Sequence, residues 1–416
     1  MARTKASRKS SGARLVGRRQ VLGGLLGMAA TPLIARVARA AGPSAVNVGV
    51  IVPLSGANAQ FGINSRRGIE LVADEINAAG GIAGLGGAKV NLIVADSTST
   101  PTTAATVAQR FITQHDVSAI LGAFASSLTI AIAETTERRE VPLFTMSFAD
   151  QLTERGFKYV FQIVSKGSTL GRAQFDYTVA IAKSAGEKLE KVAIMYEDTA
   201  YGTSQAKGLR EAAGKAGVAV VMDEAYPLGI TDASPLINKL RASGAQVAFP
   251  VSYLNDSLLI IRAMRQQNLT TPAVGGAAGY VIPDFVKGLG EYAEGVLSIS
   301  PSNYDLAPQY TERFRKRFGY FMVHEALEHA VCMSVLAQAM DKAKSKKPAD
   351  VRKVLLDTTF KDGWAQAMTG GAVKFDQTGH NTLAQPVMVQ WKGTELVTVW
   401  PEALAKGKPS WRGKKA

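Results

Sequence analysis

The chain has 416 residues, of which 46% are hydrophobic and 20% charged, a balance that excludes wholesale disorder and leaves room for two or three ordinary domains. Its formal charge of +14 sits at the ends: nine of the 48 Lys and Arg residues fall in 1–41 and five in 405–416, which leaves 34 between them against 34 acidic residues. A neutral body has no clustered basic face with which to neutralise phosphates, so binding of nucleic acid is not expected.

Residues 1–41 read as a three-part export signal that is cleaved. A basic stretch ending in Arg18 and Arg19 precedes "VLGGLLGMAATPLIA", and the small-residue site "ARA" at Ala38–Ala40 lies just before Ala41. The apolar part has about fifteen residues, short of the roughly twenty a spanning helix needs, and Gly23, Gly24, Gly27 and Pro32 interrupt it. The Arg18–Arg19 pair resembles a twin-arginine signal, although Gly17 and the following "QVLG" match that motif loosely. Export to the periplasm is therefore expected.

From Val46 onward, short runs rich in Val, Ile and Ala alternate with longer runs of helical period. The strands are "VNVGVIV", "KVNLIVA", "VSAILG", "VPLFT", "KVAIMY", "VAVVMDEAY", "QVAFPV" and "GVLSIS", with helices such as "PTTAATVAQRFITQ", "GTSQAKGLREAAGKA", "SPLINKLRAS" and "DSLLIIRAMRQQ" between them. This alternation predicts an α/β fold with parallel sheets covered on both faces. The same grammar runs twice, over 46–164 and over 167–300, which predicts two lobes of similar build with a cleft between them. Helices follow in "FRKRFGYFMVHEALEHAVCMSVLAQAMDKAKS", then late strands in "AVKFDQTGHN", "QPVMVQW" and "ELVTVW". The lone cysteine, Cys332, lies in an apolar helical pattern and reads as a small buried hydrophobe. The basic end, "KGKPSWRGKK", reads as an unstructured, solvated tail over 405–416.

No enzyme motif emerges. The two histidines of "HEALEH", His324 and His329, are five residues apart, about 140° around a helix and not on one face as a zinc protease requires, so they read as helix-surface residues. "GIAGLGG" lacks the third glycine of a dinucleotide loop and reads as a turn before a strand starting near Lys89. "GLREAAGKA" is one residue too long for a phosphate loop, and no Gly-x-Ser-x-Gly elbow is present. Neither a cofactor nor a metal is expected.

Ligands of open α/β sheets bind beyond the carboxyl ends of the strands, where helices begin. That rule brings together "PLSGANAQFG", "GAFASSLT", "TMSFADQLT" and "YEDTAYGTS". Ser126 and Ser127 stand where a strand hands over to a helix, placed either to hold an anion or simply to cap that helix. Phe61 and Tyr201, each just before a glycine, either wall a pocket or pack in the core.

The ordered set "GVIVPLSGANAQFG", "GIELVADEINAAGGI", "GAFASS", "LTERGFKYVFQ", "YEDTAYGTS" and "GVLSISPSNYD" resembles the substrate-binding proteins of branched-chain amino acid type ABC transporters, which have the type I periplasmic binding-protein fold. The resemblance spans nearly all of the chain after the signal. It implies two Rossmann-like lobes joined by three crossings, near Ser165, Ser300 and Thr369, with 42–165 and 301–369 in one lobe and 166–300 and 370–404 in the other. It also implies that Ser126 and Ser127 bind a ligand carboxylate together with amides around Ser147 and Phe148, while Tyr201 and Tyr253 approach from the second lobe. Amino acid binders of the family keep an acidic residue near the position of Ala277, so its absence here implies a preference for a carboxylate or amide without an α-ammonium, with Asp198, Asp256 and Asp284 as substitutes within reach. The cysteines that some relatives pair are replaced by Thr98 and Ala125. The implied function is non-enzymatic: a monomer captures a small solute and hands it to permease subunits coupled to a cytoplasmic ATPase. A ligand sensor of the same fold and an exported hydrolase are the rival readings.

Overall fold

A computed structural model describes residues 45–412; the expected signal over 1–41 lies outside them. The first half builds a parallel sheet from β1 (Val46–Val52), β2 (Val90–Asp96), β3 (Ala119–Gly122), β4 (Leu143–Thr145) and β5 (Val160–Gln162). Helices α1 (Ala59–Ala78), α2 (Pro101–Gln114), α3 (Ser126–Glu137) and the short α4 (Gln151–Glu154) connect them. The strand order is β2-β1-β3-β4-β5. β1 and β3 are apolar almost throughout because helices cover both faces, the condition under which a parallel strand loses its alternation.

The second half repeats this start. α5 (Gly167–Ser184) leads into β6 (Lys191–Glu197), α6 (Ala200–Lys215), β7 (Ala219–Tyr226), α7 (Ser234–Ser243), β8 (Val247–Val251) and α8 (Leu254–Gln266), with strands in the order β7-β6-β8. A bridge from Ala248 to Ala273 continues the sheet into β9 (Val274–Gly275), and β10 (Leu297–Ser300) pairs parallel to β9 after α9 (Pro283–Leu289). All eight strands read from the first three hundred residues are present. β5 and β9, only three and two residues long, are too short to show in the hydrophobic pattern.

After β10 the chain returns to the first sheet. α10 (Pro308–Phe318) is tied to α1 by Arg313–Glu75 and Arg317–Asp74 pairs, and α11 (His324–Ala343) packs along α1, with α12 (Pro348–Asp357) beside it. β11 (Thr359–Phe360) pairs with β12 (Val373–Lys374), and His380 bridges to Gln162 of β5. The final change of sheet therefore falls between Asn381 and β13 (Val387–Lys392), later than Thr369, because residues 373–381 still pair on the first side. β13 and β14 (Glu395–Trp400) close the second sheet as an antiparallel hairpin on β10.

Two expectations are corrected by packing. His324 and His329 are not surface residues: every residue of α11 from His324 to Ala337 is buried, since neighbouring elements enclose the helix on all sides. Residues 405–412 are not a free tail. The Lys406 amide donates to the Thr398 carbonyl at 2.8 Å, Ser410 and Gln390 exchange two hydrogen bonds, and Arg412 forms a two-pronged pair with Glu187 at 2.7 Å. Composition suggested solvation, but the carbonyl of edge strand β14 and the Glu187 carboxylate offer the segment specific partners. Cys332 is buried, as read. Among the described residues no helix is long and apolar enough to cross a membrane.

Candidate functional site: an aromatic cleft between two switch points

In each sheet the first strand of the unit lies between the second and the third, so the connections leave in opposite directions and open a crevice at the strands' carboxyl ends. In the first sheet this point lies between β1 and β3. Phe61, in the first turn of α1, and Phe124, just past β3, stack there with centroids 4.1 Å apart and planes 4° from parallel. In the second sheet it lies between β6 and β8, where Tyr201 of α6 and Tyr253, just before α8, meet at 5.2 Å.

Glycine makes both placements possible. A Cβ on Gly62 would stand 1.7 Å from the Pro53 carbonyl oxygen, and one on Gly202 would stand 2.0 Å from that of Glu197. Each helix therefore begins pressed against the end of its own strand, which turns the preceding aromatic inward. α1 starts at Ala59, earlier than the loop-like composition of "PLSGANAQFG" indicates, so Phe61 stands on a helix.

The two pairs face one another. Tyr253 lies 6.3 Å from Phe61 and 5.8 Å from Phe124, and Phe148, from the loop after β4, lies 5.7 Å from Tyr201. The Tyr201 hydroxyl donates to the Gly276 carbonyl. The Tyr253 oxygen sits beside the Ser126 amide and the Thr199 hydroxyl. Burial raises the phenols of Tyr201 and Tyr253 well above their ordinary range, so both stay neutral donors.

Ser126 is buried, and its hydroxyl accepts the Ala149 amide at 3.2 Å. It does not cap α3, whose cap position is Ala125 and whose first turn has no side-chain cap bond. Ser127 is half-buried, one residue further along α3. Ser147 is already committed. Its hydroxyl donates to the carbonyls of Ala123 and Phe124, each at 2.9 Å, and lies 2.6 Å from the Thr129 hydroxyl, while its amide donates to Thr145 Oγ1. Ser147 fixes the β3 and β4 loops to each other and is not a free contact. Ala277 is buried with φ +71°, a strained conformation for alanine, and its amide donates to Ser298 Oγ at 3.1 Å.

Of the aspartates within reach, Asp198 is exposed and Asp256 accepts the Gly229 amide, while Asp284 sits half-buried at the start of α9. Asp256 is buried as well, and the other buried acid of the second lobe among the described residues is Glu197. Its carboxylate accepts the amides of Thr199 and Gly202 and the Thr199 hydroxyl, which fastens the start of α6; burial nonetheless raises its pKa. In the first lobe, His324 adds its ring to the cleft, 6.4 Å from Phe124 and 6.2 Å from Phe148. Phe124, Glu197 and His324 are the site residues that sequence reasoning missed. The signal for the first was its place between a strand and the two serines. For the last it was a histidine with acids one and four residues on, in an otherwise apolar helix.

The model of the family described as periplasmic binding protein matches residues 45–395. The chain belongs to this family. It is 31% identical over 404 residues to Leu/Ile/Val-binding protein homolog 8 of Brucella melitensis biotype 1, covering 94% of this chain and 98% of the relative. Among solved structures it is similar to the substrate-binding protein LivJ of Streptococcus pneumoniae in complex with isoleucine (TM-score 0.75, 23% identity, covering 85% of this chain and 98% of that one). It is equally similar in fold to a solute-binding protein of R. palustris in complex with benzoate (TM-score 0.75, 17% identity, 85% and 95% covered). The fold of this periplasmic binding protein is thus two Rossmann-like lobes joined by three crossings, and the family's members are binding proteins rather than enzymes.

Proposed function

We propose that the chain is an extracytoplasmic solute-binding protein that captures a small organic solute, an amino acid or a related carboxylate or amide, by hinge closure and delivers it to the permease of an ABC transporter with a cytoplasmic ATPase. One observation carries this reading: aromatic side chains of the two lobes meet across the switch points at edge-on or tilted angles, Phe61, Phe124 and Phe148 from one lobe and Tyr201 and Tyr253 from the other. Such a site is complete only when the lobes are together, so a solute touching both selects the closed state.

In this reading the lobes are 42–165 with 301–381 and 166–300 with 387–404, a division supported by the strand pairing. The start of α3, with Ser126 and Ser127, takes the solute carboxylate, as helix N-termini do. Phe61, Phe148, Tyr201, Tyr253 and the buried methyl of Ala277 line the remainder. The protein acts as a monomer in the periplasm after twin-arginine export and cleavage near Ala41, and catalyses no reaction.

A thermal-shift screen of the mature chain against amino acids, amides, urea and aliphatic and aromatic acids tests this. A solute far above its dissociation constant raises the melting temperature by mass action. Turnover of any compound, or stabilisation by none, contradicts the proposal.

A further inference from the structure

Beneath the aromatic cleft, α11 carries three buried ionisable side chains within one turn: His324, Glu325 and Glu328. The His324 ring lies near Phe124 and Phe148 of the cleft and near both acids. Its Nδ1 lies 3.2 Å from Glu328 Oε2, and its Nε2 lies 3.5 Å from Glu325 Oε2 without a hydrogen bond. Asn64 Nδ2 donates to Glu325 Oε1 at 2.9 Å, and Ser302 Oγ donates to Glu328 Oε1 at 2.8 Å. Two polar atoms, His324 Nε2 and Glu325 Oε2, remain buried without partners.

Two carboxylates thus face one imidazole, and among the described residues no lysine or arginine pairs with either acid. The other titratable groups around the cluster are His329 and Cys332 on α11 itself and Tyr320, whose hydroxyl donates to Asn64 Oδ1 and accepts from Arg67. Arg67 is one step removed, turned to the rings of Phe318 and Tyr320. With both acids ionised the cluster is negative even when His324 is protonated. A buried charge excess of this kind attracts a cation and repels an anion. The cleft above agrees in sign, because the faces of aromatic rings favour cations.

We propose that the His324–Glu325–Glu328 cluster is the counter-charge for an ammonium group on the solute, with Glu325 Oε2 as the principal acceptor and His324 shared between the acids. This rests on the solute-binding reading of the cleft and deepens it: the solute is an ammonium-bearing carboxylate, its carboxylate at the start of α3 and its ammonium toward α11. The preference for an ammonium-free ligand drawn from Ala277 is thereby reversed, the acid being supplied from the other lobe. Burial pushes the Glu325 carboxyl up to about 6 against the pull of His324, so near pH 5 it holds a proton that an arriving ammonium must displace. Affinity then rises with pH between 5 and 7.5.

The test compares L-leucine and L-phenylalanine with 4-methylpentanoate and 3-phenylpropanoate by thermal shift on the mature chain, then titrates the strongest stabiliser by calorimetry at pH 5, 6 and 7.5. The expected result is stabilisation by the amino acids above their des-amino counterparts and roughly tenfold tighter binding at pH 7.5 than at pH 5. Glu325→Gln, which keeps an acceptor for Asn64, weakens binding at pH 7.5 at least tenfold and flattens the pH dependence, whereas Glu328→Gln retains a pH dependence. If Glu325→Gln fails to fold, the wild-type pH profile and the paired ligands decide. Tighter binding of the des-amino acids, or a flat wild-type profile, overturns the counter-charge and leaves the solute-binding reading standing. Stabilisation by none of the four compounds overturns the counter-charge as stated; the wider solute screen then decides the reading of the cleft.

Discussion

The two switch points share a backbone plan and differ in chemistry. On the first sheet, two phenylalanines stack without a hydroxyl between them, and polarity comes from the backbone and Ser126 at the start of α3. On the second, two tyrosines meet, one hydroxyl held by the Gly276 carbonyl and the other beside Ser126 across the cleft. Beneath the first lies the ionisable turn of α11, while the corresponding acid of the second, Glu197, is consumed by the start of α6. On the proposed reading, the difference assigns charge recognition to the first lobe and a hydrogen-bonding aromatic wall to the second.

The shared plan is the easiest part to break. Gly62→Ala and Gly202→Ala each force a methyl into a carbonyl oxygen, and each should cost more than about 4 kcal/mol or prevent folding. A folded variant of either with unchanged melting temperature would show that its helix start has room to spare. Acid sharpens the contrast between the lobes. Burial lowers His329 of α11 to about 4, so the folded chain refuses a proton that the unfolded chain accepts below about pH 6.5. The stability this residue contributes is present above that pH and lost as pH falls to about 4, by up to about 3 kcal/mol. His329→Gln should flatten this acid limb in urea midpoints measured across pH; an identical slope would exclude His329 as its source. Glu325 and His324, both raised, act oppositely and shed stability as pH rises through their folded values.

The two serines of the first lobe separate recognition from scaffolding. Ser126→Ala should weaken solute binding by about 1.5–3 kcal/mol, one to two decades in affinity, in addition to the fall in melting temperature expected from leaving the buried Ala149 amide without its acceptor. Ser147→Ala should instead cost about 1–3 kcal/mol of stability, because the buried Phe124 carbonyl loses its donor and the hydroxyl that ties it to Ala123 and Thr129 is gone. Calorimetry and thermal melts on both variants check this, and the reverse pattern would exchange their roles. Tyr201→Phe, which leaves the Gly276 carbonyl without its donor, should lower stability by about 1–2 kcal/mol in a denaturant melt.

Much of this was legible in the chain because strand runs and strand-to-helix loops are local features. The eight strands, the double grammar and the small-residue loops around Phe61, Ser126 and Tyr201 follow from hydrophobic period and turn chemistry. What escaped depends on distant partners. His324 is buried because elements remote in sequence enclose α11, and Glu325 is engaged by Asn64, 261 residues earlier. The hinge return moved past Thr369 because the short β11 and β12 pair with each other, and residues 405–412 are ordered by Thr398, Gln390 and Glu187, which no local composition reveals.

Small-angle scattering of the mature chain, with and without a solute shown by calorimetry to bind, tests most directly whether the two switch points come together around a ligand. Closure predicts a smaller radius of gyration and a shorter maximum dimension at saturation, both lost in Ser126→Ala at the same solute concentration. Superimposable curves for the free and saturated protein would contradict it.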